Sequence, residues 1–145
     1  MSSLADLVTP ERVALALAAE DKHAAIQELS SLLVGDADAK PVFDALWARE
    51  QLASTGVGSG VAIPHGRVRG VDEIRAALAI HPAGLPFDAI DGEPVHVFVA
   101  ILAPEDRPSH HLRVLAEVSR LLRSADVRTR MRNAPTVEAL RACLG

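Results

Sequence analysis

The chain has 145 residues, 49% apolar and 23% charged, which suits one domain with a sizeable core and excludes a disordered chain. Aromatics make up 3%, with no tyrosine, so the stacking platforms of single-stranded nucleic-acid binders lack raw material. A net charge of −4 argues against nucleic acid and anionic membrane as partners, although residues 1–106 carry 7 basic and 16 acidic side chains and residues 107–145 carry 8 and 3. Cys143 is the single cysteine, so neither an intrachain disulfide nor a thiolate metal cluster is available. Nothing reads as a signal peptide or as a bilayer-spanning run, and a cytoplasmic location without membrane insertion is expected. No repeat or linker divides the chain, so residues 1–145 are expected to form a single domain.

The run 13–17 is ambiguous between strand and helix. Asp21 predicts the cap of a helix over 22–34, in which Ala25, Ile26, Leu29, Leu32 and Leu33 recur at helical spacing and Gly35 is a stop signal. A second helix is predicted from Pro41 to about Glu50, with Phe43, Leu46 and Trp47 on one face. From Ser54 to Gly70, five glycines and Pro64 predict loop, a short strand at Val61-Ala62-Ile63, and loop. Strands are predicted over 74–80 and 95–102, with an Asp91-Gly92 turn between them; the run VHVFVAIL is apolar on both faces except at His96, as in an interior strand. After Pro104 the period becomes helical. Leu112, Leu115, Val118 and Leu122 form a stripe in a helix starting near Ser109, and shorter helices are predicted over 126–133 and 136–143. The expected fold class is α/β, a small mixed β-sheet flanked by helices on both sides.

The segment REQLASTGVGSGVAIPHGR, residues 49–67, is the candidate site. His65 follows a short strand between Pro64, which restricts the backbone before it, and Gly66, which allows close approach. A neutral imidazole is a competent nucleophile near pH 7, and phosphoryl transfer needs such a nucleophile together with donors for the equatorial oxygens. Arg49, Arg67, the Ser54 and Thr55 hydroxyls and the glycine amides are eligible donors. Neither a G-x-x-x-x-G-K-[ST] nor a G-x-G-x-x-G motif is present. In the pair His110-His111, His111 lies on the apolar stripe and faces the sheet, while His110 is rotated about 100° toward the rim. Its place in the first helical turn favours a neutral His111 ring. His96 reads as structural; His23 and His81 read as surface residues.

These residues resemble the active-site signature of the fructose/mannitol-type enzyme IIA family of the bacterial phosphoenolpyruvate-dependent phosphotransferase system. The matching positions are Glu50, the run to Gly58, Val61-Ala62-Ile63, Pro64, His65 and Gly66. FDAIDGEPVHVFVAILAP and SHHLRVLAEVSRLL are most like the nitrogen-regulatory branch. The resemblance implies the family's α/β sandwich, His65 as phosphoryl acceptor, Arg49 as a cation near the phosphate and His111 as a second active-site histidine. Ser54, Thr55, Gly66 and Arg67 fall near the phosphate. Arg67 stands where many relatives carry Lys. No cofactor and no metal are implied, and the donor would be an HPr-like phosphocarrier.

Two uses of the phosphoryl group follow from the resemblance: regulation of target proteins by phosphorylation state, or sugar uptake by transfer to a fructose/mannitol-type IIB domain. The absence of a linked IIB, IIC or HPr-like domain in the sequence favours regulation. A His-ligated metal protein using His65, His111 and His96 or His110 is the alternative from another class, though no paired H-x-x-x-H motif supports it.

Overall fold

A computed structural model describes residues 3–145. β6 (Val95–Pro104) is the axis of a six-stranded sheet. It runs antiparallel to β5 (Arg75–Leu85), which pairs in parallel with β1 (Val13–Ala14). On its other side β6 pairs in parallel with two short segments in succession, β3 (Val61–Ala62) opposite Val97 and Phe98, and β4 (His65–Val68) opposite Ile101 to Pro104. β3 and β4 therefore form one interrupted path along β6, broken at Ile63-Pro64. Proline has no N–H for the ladder, but its carbonyl still accepts from Ile101 N at 2.9 Å. β2 (Gly56–Gly58) closes the edge antiparallel to β3.

Strand alternation sends Val97, Val99 and Ile101 to one face, and Phe98, Ala100 and Leu102 to the other. The first face is covered by α1 (Leu4–Leu7), α4 (Pro108–Leu121), α5 (Ala125–Asn133) and α6 (Val137–Ala142). The second is covered by α2 (Lys22–Val34) and α3 (Ala39–Leu52). This is the expected α/β class, a mixed sheet with helices on both sides. β6 is buried at every position but His96, as its apolar run requires.

Asp21 caps α2 by accepting from Ala24 N at 2.8 Å, and Gly35 follows the helix with φ +85°. The Asp91-Gly92 turn forms with Gly92 N bonded to Ala89 O at 2.9 Å. Three expectations change. Residues 65–68 are strand and not loop, because β6 supplies hydrogen bonds that the local composition does not announce. The buried stripe of α4 is His111, Val114 and Val118, continued by Leu122 just after the helix, while Leu112 is 65% exposed. His81 is half-buried and bonded: its Nε2 donates to Ala19 O at 2.8 Å, and His96 Nδ1 donates to the His81 carbonyl at 3.1 Å. That bonding fits the structural reading of His96 and leaves it with His81 instead of with His65 and His111.

Candidate phosphoryl-transfer site

β4 alternation sets the site. Gly66 faces α3, where a Cβ would come within 3.3 Å of the Ala45 backbone and side chain, so the glycine lets strand and helix close together. His65 and Arg67 consequently take the opposite face, toward α4. There the rings of His65 and His111 lie 4.9 Å apart between centroids, tilted by 55°. A cleft of about 930 Å³ opens over them, lined by Arg49, His65, Gly66, Arg67, Glu105 and His111. Its apolar rim includes Leu52, 82% exposed at the end of α3, and Leu112, 65% exposed at the start of α4.

His65 Nδ1 lies 2.8 Å from the carbonyl oxygen of Ile63. A carbonyl only accepts, so Nδ1 carries the proton and Nε2 keeps the lone pair. The His65 pKa is pushed below its usual 6.5, first by burial, then with the Arg49 cation adding to the effect; the Ile63 carbonyl and the Glu50 carboxylate oppose it. The ring is neutral at pH 7 and presents an unprotonated nitrogen.

His111 is lowered further, to about 4, by burial and then by His65 and Arg67. Its Nδ1 is buried without a partner. A buried acceptor left unpaired is more tolerable than a buried orphan donor, which places the proton on Nε2, the nitrogen available to the cleft. His111 is then a neutral donor poised beside a neutral acceptor.

Arg49 is held at the C-terminal end of α3 by donating from Nη1 to Ala53 O at 2.8 Å, which uses one of its five N–H groups. Arg67 is exposed on the opposite wall. The cleft thus brings together His65, His111, Arg49, Arg67 and the Gly66 backbone. The hydroxyls of Ser54 and Thr55 are engaged elsewhere. Ser54 Oγ donates to Phe87 O at 2.8 Å and accepts from Gly56 N at 3.0 Å, while buried Thr55 donates to Glu50, so neither lines the cleft. His110 is exposed outside it. Among the described residues, no three His, Cys, Asp or Glu side chains are grouped as metal ligands.

Residues 6–145 match the family described as the phosphoenolpyruvate-dependent sugar phosphotransferase system, EIIA 2. The chain belongs to that family. This IIA chain is 38% identical over 143 residues to a nitrogen regulatory protein of Pseudomonas aeruginosa, covering 97% of the chain and 93% of that protein. It is 34% identical over 141 residues to a fructose-specific EIIA component of Haloferax volcanii, covering 94% and 92%. Its fold matches the crystal structure of the nitrogen regulatory protein IIA-Ntr from Neisseria meningitidis with a TM-score of 0.89 and 32% identity, over 98% of this chain and 99% of that one.

Sequence reasoning missed the apolar rim of Leu52 and Leu112 and the acidic Glu105. Leu52 ends a helix whose sequence signal stops at about Glu50, and Leu112 shares the helical period of the inner stripe without joining it.

Proposed function

We propose that this IIA chain is a phosphoryl carrier of the nitrogen-regulatory kind, accepting a phosphoryl group on His65 from an HPr-like phosphocarrier and regulating target proteins by its phosphorylation state. The observation that carries this reading is the hydrogen bond from His65 Nδ1 to Ile63 O, which leaves Nε2 as the nucleophile in a cleft walled by His111 and Arg49. Nε2 attacks the phosphorus of the donor phosphohistidine in line; the new N–P bond forms as the donor's P–N bond breaks, and the donor imidazole leaves. No general base is needed, since Nε2 carries no proton. Arg49, Arg67 and the His111 Nε2–H supply donors for the equatorial oxygens. The His65 ring keeps its Nδ1 proton against Ile63 O and becomes cationic as the bond forms. A cationic ring is a good leaving group, so the phosphoryl group stays transferable.

Incubation with phosphoenolpyruvate, enzyme I and the HPr-like protein, followed by intact-mass analysis and peptide mapping, tests donor, stoichiometry and site. One acid-labile phosphoryl group on His65 is expected, with none in His65→Ala; normal labelling of that variant overturns the assignment. The second reading, sugar uptake through a IIB domain, is favoured by the identity to a fructose-specific EIIA component. Transfer from the phosphorylated chain to a fructose/mannitol-type IIB would select it.

A further inference from the structure

The basic surplus of residues 107–145, 8 cationic against 3 acidic side chains, has no part in the transfer steps above, and the fold gathers most of it where α4 ends and α5 begins. Among the described residues, the one ion pair on this stretch joins Arg130 to Asp126 at 4.0 Å, and Arg120, Arg123 and Arg132 stand exposed without one. Arg128 is fixed in place. Its Nη1 donates to the carbonyls of Leu122 and Arg123 at 2.8 and 2.9 Å, which satisfies free carbonyls at the end of α4 and leaves the other N–H groups of the guanidinium for another molecule. Capping accounts for Arg128 but not for Arg123, of which only the main chain takes part in the fold.

Between these two arginines and the turn that joins β2 to β3 lies a groove of about 370 Å³. Buried Val61, Ile63 and Leu122 make its floor, and Arg123 and Arg128 stand over it, facing Ser59 of the turn. Among the described residues no carboxylate lines it; Asp91, which holds the turn by accepting from Ser59 N at 3.0 Å, is not part of the lining. An inorganic anion would meet the arginines and leave the apolar floor bare. Nucleic acid would find no aromatic ring to stack on, and the net charge of −4 repels it. A peptide with an apolar side chain between carboxylates satisfies both parts. We propose that this groove docks an acidic segment of another protein, seating an apolar side chain on Val61, Ile63 and Leu122 while its carboxylates pair with Arg123 and Arg128. The groove and the His65 cleft occupy the two ends of the seam between α4 and the path of β3 and β4; along the helix, His111 and Leu122 are separated by about 16 Å. A protein held at the groove therefore leaves the cleft open to a phosphodonor, and the binding stands whether or not His65 is the phosphoacceptor.

The test is a titration of the whole, unphosphorylated chain with a fluorescent peptide of alternating glutamate and leucine, followed by anisotropy and by backbone amide NMR. Saturable binding is expected, weakened by salt, with the amide shifts centred on Ser59, Ser119 and Arg123 and those of His65 and His111 unmoved. Arg123→Glu reverses an exposed charge without touching the fold and should lower the affinity about ten-fold, as should glutamine for the peptide's glutamates or serine for its leucines. Lys40→Glu changes the net charge equally on α3, where Lys40 pairs with Asp44, and should leave the affinity within about two-fold. The proposal is overturned if the peptide does not bind, if Lys40→Glu weakens it as much as Arg123→Glu, if the serine peptide binds as well as the leucine one, or if the shifts centre on the cleft. Tighter binding of single-stranded DNA or of phosphatidylglycerol vesicles, lost in Arg123→Glu, would give the arginines to those partners and overturn it too. So would self-association, seen by sedimentation of the chain alone and abolished by Arg123→Glu, which would make a second copy the occupant. Failure of His65 labelling overturns the carrier reading and leaves these outcomes unchanged.

Discussion

Arg49→Ala separates catalysis from folding at this site. In the fold, Arg49 makes one hydrogen bond, to a carbonyl beside the exposed end of α3 that water can satisfy after truncation, so the expected stability loss is about 1 kcal/mol. In the proposed transfer step the guanidinium would meet negative charge on the equatorial oxygens, where removing one preorganised donor costs about 3–4 kcal/mol, or roughly 100- to 1000-fold in rate. The pH profile should move as well. With His65 as the proposed acceptor only the neutral ring would react, so the rate should fall as pH drops through its pKa, and Arg49 is among the influences holding that pKa below 6.5. Deleting the cation raises the pKa and shifts the acid limb to higher pH, even as the plateau falls. Single-turnover phosphorylation from pH 4.5 to 8.5, read by intact mass and paired with urea unfolding, measures all three quantities. A plateau within about three-fold of wild type, or an acid limb moved to lower pH, would refute the assignment of Arg49 to the phosphoryl oxygens.

His111 should make the fold acid-sensitive. Its pKa is about 4 when folded against the ordinary 6.5 of a free imidazole, so between those values the unfolded chain binds the extra proton. This contribution to stability is complete above pH 6.5 and is lost as pH falls toward 4, amounting to about 2 kcal/mol once solvent at the open side of the ring is allowed for. Denaturant unfolding at pH 7.5 and 4.5 should show a smaller difference for His111→Gln than for wild type; an equal difference would place the acid sensitivity elsewhere. Leu52→Ser with Leu112→Ser should leave stability within about 0.5 kcal/mol, because both side chains are exposed, yet raise KM for the HPr-like donor about ten-fold if the donor covers the rim. An unchanged KM would mean that the donor docks elsewhere. Gly66→Ala should cost about 1–3 kcal/mol by driving β4 from Ala45, read as a lowered thermal midpoint, and a midpoint equal to wild type would show that α3 yields freely.

Much of this was legible from residue order. Asp21 and Gly35 bracket α2 because caps are local chemistry, and the apolar run of β6 reports burial on both faces directly. His111 could be distinguished from His110 by helical phase, and the fold places the first against His65 and the second in solvent. The phase of the whole stripe was less certain, because Leu112 and Leu115 offer one apolar set and Val114 and Val118 another; contact with the sheet selects the second. β4 had no local signature, since its hydrogen bonds come from residues 101–104. Ser54 and Thr55 show a further limit. A hydroxyl beside a phosphate-type signature looks the same in sequence whether it meets a ligand or a neighbouring backbone, and here Phe87 O and Glu50 claim them. The buried face of α3 is Val42, Leu46 and Glu50, with Phe43 and Trp47 only half-buried, because an acidic residue on the inner phase does not show in a count of apolar positions.

The broken path of β3 and β4 has a consequence for the proposed regulation. Because Pro64 O and residues 65–68 are tied to the most deeply buried strand of the molecule, gaining a phosphoryl group leaves the main chain little freedom to rearrange. A partner that discriminates between the two forms must then do so at the mouth of the cleft, by tolerating or rejecting a doubly charged group on an unmoved scaffold. Discrimination of that kind weakens with added salt, whereas a refolded loop would be recognised at any ionic strength.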